Sequence, residues 1–394
     1  MSRLEELIAE LCPNGVKFYR LGDVAEISTG SSNSNEEESD GVYPFFVRSR
    51  DIKRKNSWEY DETAIITAGD GEVGKIYHYI EGKYALHQRA YRIHIINEKV
   101  YTKFIYYYMM SAFYSYITKE AVSSSVMSLR RRMFENFVVP VPPLPVQEEI
   151  VRILDNFAEL TAELTAELTA ELTKRKQQYQ YYMNKLLSFD DSVPVVQLSD
   201  IFDFKNGLNK GKEFFGRGDY IVKYMDVYKH CALTEGDLSD RVEVTDSEKD
   251  KVSAKKGDVF FTRTSESREE IGFASVLLDE VEGCVFSGFL IRARQKTQKL
   301  LPKYCAYCFK AESVREQITR NCIFTTRASL SGANLGLVKL PVPPLEEQKR
   351  IVAILDRFDA LCNDLTSGLP AEIEARKKQY EYYRDKLLTF KEAV

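Results

Sequence analysis

The chain has 394 residues, a length that predicts two or three globular units. Apolar residues make up 44% and charged residues 29%, a composition that excludes a disordered chain. The net charge of −4 neither predicts nor excludes a nucleic-acid partner, because charge used to bind DNA would have to be local.

The sequence begins with the pattern of an acidic amphipathic helix (MSRLEELIAEL), which is neither a secretion signal nor a membrane anchor. No apolar run approaches the roughly 18 residues of a membrane span. Seven cysteines form an odd, irregularly spaced set. We therefore expect a protein of the reducing cytoplasm that makes no membrane contact.

The segment that follows the first helix predicts a mixed α/β domain. The β-runs AIITAGDGEVGKIYHYI and ALHQRAYRIHI are joined by glycine turns and precede an aromatic helix, YTKFIYYYMMSAFYSYI. Residues 69–75 partly match two phosphate-binding motifs. However, Ile76 stands where a P-loop needs Ser or Thr, and a β-pattern follows instead of a helix. We predict a hairpin with a glycine-rich turn here.

A long helix is predicted from about Val146 to about Leu187. Its apolar residues recur at spacings of three and four, as in a helical stripe: Ile150, Leu154, Phe157, Leu160 and Leu164, then Tyr179, Tyr182 and Leu186. About 40 residues at 1.5 Å each give a helix of roughly 60 Å, which needs a partner helix to cover the stripe.

The middle of this helix is a tandem repeat. Thr-Ala-Glu-Leu occurs at 161–164, 165–168 and 169–172. Each four-residue unit adds about 6 Å, and the leucine row drifts by about 40° per unit. The repeat fits a solubilised helix face with a leucine seam, and it also fits a ruler whose length depends on the number of units.

A second mixed α/β domain is predicted from DVFFTRT, GFASVLLDE and CVFSGFLIRAR, followed by the aromatic helix PKYCAYCFKAESVREQI. Cys305 and Cys308 lie in that helix. We predict two buried thiols there, since zinc needs four ligands and no second cysteine pair exists. The four histidines lie singly, and His87 is predicted to be a hydrogen-bonded fold residue.

The chain contains an internal repeat. Residues 140–189 match residues 341–390 without a gap, at an offset of 201, with 28 of 50 positions identical. The second copy is therefore the expected partner helix. Its sequence Ser367-Gly368-Leu369-Pro370 predicts a kink or an interruption.

Local basic clusters stand out in both domains, whereas no catalytic motif does. Arg, Lys, Asn and Thr are suited to phosphate and base-edge contacts. The candidate DNA-binding residues are Arg48, Arg50, Lys53, Arg54, Lys55, Arg130, Arg131, Lys205, Asn206, Lys210, Lys212, Arg263, Thr264 and Arg327. Residues 205–212 are predicted to form a glycine-rich basic loop.

One motif occurs in both copies of the repeat. Pro-Pro-Leu-x-x-Gln-x-x-Ile-Val-x-Ile-Leu-Asp stands at 142–155 and at 343–356. With the first-domain pattern Leu21-Gly22-Asp23 and Gln88-Arg89-Ala90, it resembles the specificity subunits of type I restriction–modification systems. The Thr-Ala-Glu-Leu tandem looks like the spacer of particular members.

The resemblance implies an α+β fold with two mixed α/β target-recognition domains related by pseudo-two-fold symmetry and separated by two long antiparallel coiled-coil helices. The implied domains are an N-terminal helix (1–17), recognition domain 1 (18–145), a central spacer helix (146–190), recognition domain 2 (191–345) and a C-terminal spacer helix (346–394).

The resemblance also implies a non-catalytic subunit, each domain of which reads half of a split, asymmetric site in double-stranded DNA. The helices set the spacing and dock two methyltransferase subunits, which bring S-adenosylmethionine. Motor-nuclease (restriction) subunits bring ATP and Mg, and this chain itself binds no cofactor or metal. The implied docking and spacer residues are Gln147, Ile150, Leu154, Phe157, Gln348, Ile351, Leu355 and Phe358.

Two other functions remain open on the sequence. One is a coiled-coil scaffold whose two domains bind proteins instead of DNA. The other is an enzyme, either a nucleotide-binding protein that uses residues 69–75 or a fused methyltransferase. Steep salt dependence of DNA binding separates the first from a DNA reader, and nucleotide or S-adenosylmethionine binding tests the second.

Overall fold

The computed structural model describes residues 2–120, 129–363 and 368–393. They form two compact units. Unit 1 comprises residues 1–168 and 373–394, and unit 2 comprises residues 169–372. The division falls within the long helices, so that each unit contains part of both copies of the repeat.

Unit 1 combines helices with mostly antiparallel strands. Its elements in chain order are α1 (Arg3–Leu11), β1 (Lys17–Arg20), α2 (Leu21–Val24), β2 (Ala25–Thr29), β3 (Tyr43–Phe46), β4 (Lys53–Lys55), β5 (Tyr60–Ala68), β6 (Tyr77–Leu86), β7 (Ala90–Ile95), α3 (Thr102–Glu120), α4 (Arg131–Glu135), β8 (Val138–Val141) and the first part of α5 (Leu144–Leu186).

Six strands of unit 1 form one sheet in the order β2-β7-β5-β6-β3-β4, in which β3 runs parallel to β6 and the other pairs are antiparallel. The predicted hairpin is confirmed, since β5 and β6 pair antiparallel on either side of residues 69–76. Gly71 and Gly74 in the connection have φ angles of +78° and +68°, which favour glycine.

Unit 1 has one main apolar core between the sheet and its helices. The predicted aromatic helix is α3, which buries Phe104, Phe113 and Ile117 completely. Ile150 and Leu154 of α5 enter the same core. The start of the long helix is therefore fixed in place by the domain that precedes it.

Unit 2 has the same mixture of elements. In chain order they are β9 (Val195–Gln197), α6 (Leu198–Ile201), β10 (Phe202–Asn206), β11 (Phe215–Val222), α7 (Tyr224–Lys229), β12 (Ala232–Leu233), β13 (Arg241–Val242), α8 (Asp246–Val252), β14 (Val259–Thr262), β15 (Thr264–Ser265), β16 (Ala274–Leu277), β17 (Val285–Phe286), β18 (Leu290–Gln295), α9 (Pro302–Lys310), α10 (Glu312–Asn321), β19 (Ile323–Phe324), β20 (Ala328–Ser329), α11 (Gly332–Gly336), β21 (Lys339–Pro341) and α12 (Leu345–Asn363), and the next helix is α13 (Leu369–Leu387), most of which belongs to unit 1.

The largest sheet of unit 2 has the strand order β10-β18-β14-β16-β12. The predicted single aromatic helix is two helices, α9 and α10, because Ala311 between them has extended backbone angles. Cys305 and Cys308 are buried in α9, as predicted, and burial raises the pKa of both thiols. The prediction of two mixed α/β domains is confirmed.

The long helix predicted over 146–187 is confirmed as α5, with 43 residues. The second copy of the repeat is described as two shorter helices, α12 and α13. Gly368, part of the predicted interruption, lies before α13 in a bend, whereas Ser367 lies outside the described residues.

Each unit pairs the two copies of the repeat in the same way. In unit 1, the ring of Phe157 on α5 stacks on Tyr383 of α13, with centroids 6.0 Å apart. In unit 2, Phe358 of α12 stacks on Tyr182 of α5 at 5.5 Å. Each residue of one pair lies 201 positions from its counterpart in the other, so the predicted partnership between the two copies is confirmed.

The predicted apolar stripe is not continuous along α5. Leu160 is 60% exposed and Tyr182 is 41% exposed, whereas Tyr179, Met183 and Leu187 are buried in unit 2. The reason is the repeat itself, because a four-residue unit turns the helix by about 400° and moves each leucine to a new face. The stripe prediction is therefore wrong at Leu160. Phe157 and Tyr182, 40% and 41% exposed, are partly covered by the stacked rings of Tyr383 and Phe358 in the second copy.

A buried glutamine joins each long helix to the domain before it. In unit 1, the Gln147 amide donates to the carbonyls of Lys99 (2.8 Å) and Pro142 (2.6 Å) and accepts the N–H of Tyr101 (2.8 Å). In unit 2, Gln348 bonds to the carbonyls of Lys299 and Pro343 and to the N–H of Leu301. We call each set of three bonds a glutamine clamp.

A second pair of equivalent contacts is made by an aspartate eight residues after each of these glutamines. Asp155 accepts hydrogen bonds from Lys103 (2.8 Å) and from Tyr107 (2.6 Å). In unit 2, Asp356 accepts equivalent bonds, at the same two distances, from Lys303 and Tyr307. Burial raises the pKa of both tyrosines and keeps their hydroxyls protonated as donors.

We predict that Gln147→Ala or Gln348→Ala lowers the free energy of unfolding by about 2–4 kcal/mol, since each change removes three hydrogen bonds to backbone groups, two of them part-buried and one buried. Denaturant unfolding of the chain measures the loss. Gln177→Ala, at an exposed position of α5, serves as the control and should change stability by less than about 0.5 kcal/mol. A clamp variant as stable as this control would contradict the prediction.

Candidate nucleic-acid interface

In unit 1, residues 87–89 form a three-residue loop between β6 and β7. Its backbone is fixed by hydrogen bonds to two neighbouring segments and within the loop: His87 N–H to Phe46 O (2.9 Å), Gln88 N–H to Ser32 O (2.9 Å) and Ala90 N–H to His87 O (2.9 Å). The buried His87 ring accepts the Arg89 N–H at its Nδ1 (3.0 Å). Burial, then the charges of Arg48 and Arg89, lower the His87 pKa. His87 is thus the hydrogen-bonded fold residue that the sequence predicts.

In unit 2, residues 287–289 form an equivalent loop between β17 and β18. The same bonds recur: Ser287 N–H to Val222 O (3.0 Å), Gly288 N–H to Leu208 O (2.7 Å) and Leu290 N–H to Ser287 O (2.9 Å). The Ser287 hydroxyl takes the place of the histidine ring and accepts the Phe289 N–H at 3.4 Å. The two loops are thus the same structure built from different residues.

Each loop is also tied to the segment that follows the central strand of its sheet. In unit 1, the Gly69 N–H donates to the Arg89 carbonyl at 2.9 Å, and Leu129 N–H donates to the Gly69 carbonyl. In unit 2, Arg263 N–H donates to the Phe289 carbonyl at 3.0 Å, and Leu330 N–H donates to the Arg263 carbonyl. Arg89 and Phe289 therefore occupy equivalent places in the fold.

The structure gathers most basic candidates of unit 1 around this loop. Asp70 forms ion pairs with Arg48 (2.7 Å) and Arg89 (3.3 Å), and Glu72 lies 3.6 Å from Arg50. Lys53 and Lys55 pair with Glu37 and Glu36, and Lys55 also donates to the Ser32 hydroxyl beside the loop. Arg130 is exposed and follows Leu129, the residue bonded to Gly69.

The two other candidates of unit 1 have local partners. Arg54 is exposed on β4 and donates to the Val42 carbonyl at 3.2 Å. Arg131 pairs with Glu135 one turn along α4, at 2.7 Å. Both pairs are solvent-exposed, so they hold their arginines only weakly.

In unit 2, the candidates are less closely gathered. Arg263 and Thr264 follow β14 beside the 287–289 loop, and Arg327 pairs with Glu266 at 3.1 Å. Lys205 and Asn206 belong to β10 and are exposed, so the predicted basic loop begins only after them. The prediction of a loop is therefore wrong at Lys205 and Asn206, because strand β10 continues through Asn206 and ends just before Gly207.

Lys210 is a structural residue as well as a basic one. Only 13% of its side chain is exposed, and it bonds to Glu248 (2.8 Å) and to the Glu243 carbonyl (2.7 Å). The bond from Lys210, together with bonds from the Thr245 N–H and hydroxyl, lowers the pKa of Glu248 to about 2. Lys212, two residues on, is exposed in a 3₁₀ turn, where it is the more accessible of the two cations.

The predicted docking and spacer residues fall into two groups. Six of them lie wholly or almost wholly inside their own unit and offer no surface to a partner: Gln147, Ile150, Leu154, Gln348, Ile351 and Leu355. These six side chains anchor the helices in their units, and a role for them in docking stays a prediction. Phe157 is 40% exposed and Phe358 is half-buried, and both remain docking candidates.

Several residues of the loop regions were not among the sequence candidates. Asp70 holds two arginines, Arg89 and Phe289 protrude from the two loops, and Arg268 lies over the ring of Phe324 at 5.3 Å. A run of basic residues does not mark single acidic or aromatic side chains that join it in space. For Arg89 the sequence offers a signal, the Gln88-Arg89-Ala90 motif.

A protein-family model described as the type I restriction modification DNA specificity domain matches residues 13–174 and 191–375. A Haemophilus influenzae protein assigned as a type I restriction enzyme specificity subunit is 29% identical over 388 residues, which cover 95% of this chain and 96% of the relative. The EcoR124I/EcoR124II specificity subunit of Escherichia coli is 33% identical over 264 residues, 64% of this chain and 61% of the relative.

A solved chain gives an independent comparison of the fold. It comes from a structure titled for complex assembly and conformational transition of the type I R-M system, and its TM-score is 0.71 at 17% identity. The match covers 95% of this chain and 98% of that one.

The family model thus matches the chain twice, once over most of each recognition domain and the helix after it. The chain belongs to the family of type I restriction–modification specificity subunits. A subunit of this kind supplies specificity and is not itself catalytic. Among residues 2–120, 129–363 and 368–393, no helix is long and apolar enough to cross a membrane.

We predict that Lys210→Ala lowers the melting temperature of the chain, with Lys212→Ala as the exposed control. Because the pKa of Glu248 falls from 4.5 to about 2 in the folded state, the bond stabilises the fold above pH 4.5 and loses this effect as the pH falls through about 2. The gap in melting temperature between wild type and variant should therefore narrow in acid to the part that the bond to the Glu243 carbonyl contributes, and a gap that is independent of pH would refute this assignment.

Proposed function

We propose that each unit reads one half of a split, asymmetric sequence in double-stranded DNA, and that the paired helices set the distance between the two halves. One observation carries the proposal: the helix anchors and loop frames of the two units match bond for bond, while the exposed residues on the loops differ. Two units that share the same backbone contacts but expose different side chains are suited to recognising two different DNA sequences.

The assembled enzyme is proposed to contain two methyltransferase subunits, which bring S-adenosylmethionine and methylate adenine in the cytoplasm. Restriction subunits that use ATP and Mg complete it. The duplicated helix pairs support two equivalent docking places, one for each methyltransferase. Exposed tyrosines near the ends of the two copies (Tyr181 and Tyr382, 59% and 62% exposed) and the half-exposed Phe157 are candidate contacts.

Co-expression of the chain with its methyltransferase, followed by sequencing of methylated adenines, tests the proposal directly. We expect a single motif of two unlike half-sites separated by a fixed gap. Binding of that DNA should weaken steeply as salt rises, because phosphate contacts release counterions. A protein-binding scaffold would show neither result.

We predict that deleting residues 165–168 shortens the preferred gap and leaves both half-sites unchanged. One Thr-Ala-Glu-Leu unit contributes about 6 Å of helix, which is between one and two base-pair rises of about 3.4 Å. Methylome sequencing of the deletion strain measures the gap. Glu167→Gln keeps the helix length and serves as the control. An unaltered gap in the deletion strain would exclude the ruler function of the repeat.

A second prediction concerns the independence of the two units. Exchanging residues 191–345 for the corresponding domain of another specificity subunit should change one half-site and leave the other intact, because unit 1 keeps all its contacts. The same sequencing experiment gives the result. A simultaneous change in both half-sites would show that the two readers are coupled.

A further inference from the structure

We propose that Arg89 and Phe289 are equivalent specificity-determining residues, Arg89 reading a guanine in one half-site and Phe289 contacting the methyl group of a thymine in the other. The inference rests on the proposed function and deepens it, because it assigns the contact chemistry of one position in each unit.

The first argument is that the two residues occupy the same place. Each is the third residue of its loop, each donates its N–H to the side chain of the first loop residue, and each accepts a hydrogen bond at its carbonyl from the segment after the central strand. The frame uses only the backbone of this residue. Its side chain therefore takes no part in the hydrogen bonds that the two units share.

The second argument is exposure. The Arg89 side chain is 62% exposed, and Phe289 is 63% exposed, second only to Val42 among the large apolar residues that the structure describes. A rigid loop that presents a large side chain to solvent loses little further freedom when that side chain meets a ligand. The loop backbone is fixed by bonds on both sides, so the side chain is presented in a defined direction.

The third argument is the chemistry of the two side chains. A guanidinium presents donors in a fork that matches the O6 and N7 acceptors of guanine, the commonest specific contact of arginine in the major groove. The Asp70 carboxylate holds Arg89 at 3.3 Å and Arg48 at 2.7 Å, one on each oxygen, and thus orients the fork. An apolar ring such as that of Phe289 instead suits the C5 methyl group of thymine, which is the one apolar group on a base edge.

The test uses the complex of the full chain with its methyltransferase and a duplex that carries the methylated site. Each guanine of the first half-site is replaced in turn by 7-deazaguanine, which lacks the N7 acceptor. Each thymine of the second half-site is replaced in turn by deoxyuracil, which lacks the methyl group. The affinity of wild type and variant complexes is measured on every duplex.

For Arg89, we expect 7-deazaguanine at one position to weaken wild-type binding by about 2- to 12-fold, the effect of one lost hydrogen bond. Arg89→Ala should be insensitive to that replacement, whereas Arg89→Lys, which keeps a donor but lacks the fork, should bind the unmodified site more weakly than wild type. Arg20→Ala, at an exposed arginine on β1 in the same unit, is the matched control and should respond as wild type does.

For Phe289, we expect deoxyuracil at one position to weaken wild-type binding by about fourfold, the effect of one methyl group. Phe289→Ala should be insensitive to it. Met225→Ala removes a 49% exposed apolar side chain elsewhere in unit 2 and should keep the wild-type response.

Three results would overturn the inference: alanine variants that keep the wild-type sensitivity, a half-site without the expected base, or a wild-type complex whose affinity no base replacement changes, which indicates phosphate contacts. If the wild-type complex methylates no split site at all, the proposed function fails instead. Melting temperatures of the variants separate loss of contact from loss of folding.

Discussion

A buried glutamine amide in each copy of the repeat holds the start of the helix against the domain that precedes it. Gln147 and Gln348 are completely buried, and each bonds to three backbone groups of the domain that precedes its helix. An amide in that position would cost several kcal/mol if any of these bonds were missing. The direction in which each helix leaves its domain is therefore fixed by a bond set that tolerates little change.

The sequence predicted the helices and strands better than it predicted the exposed residues of the candidate interface. The repeat at an offset of 201 identified the helices, and alternating apolar runs identified the strands, because both patterns reflect burial. The break between α9 and α10 was missed since Ala311 fits a helix as well as a loop. Burial of Gln147 was missed as well, because a glutamine in a helix is more often exposed than enclosed.

The candidate interface was only partly predictable, for a related reason. Runs of lysine and arginine mark local charge, and in unit 1 they do gather around the 87–89 loop. The acidic partners that orient them, such as Asp70, come from a different strand connection, and sequence spacing does not show that proximity. Lys210 looked like any other basic residue until its bond to Glu248 and its low exposure placed it within the fold.

The partners of the glutamine clamp are all backbone atoms, which has a consequence for how such proteins diversify. A carbonyl or an N–H is present whatever the side chain, so residues 99, 101 and 142 can vary without loss of the anchor. The recognition surface can therefore change while the helix anchor is kept, so that a related protein can acquire a different target without a change of fold.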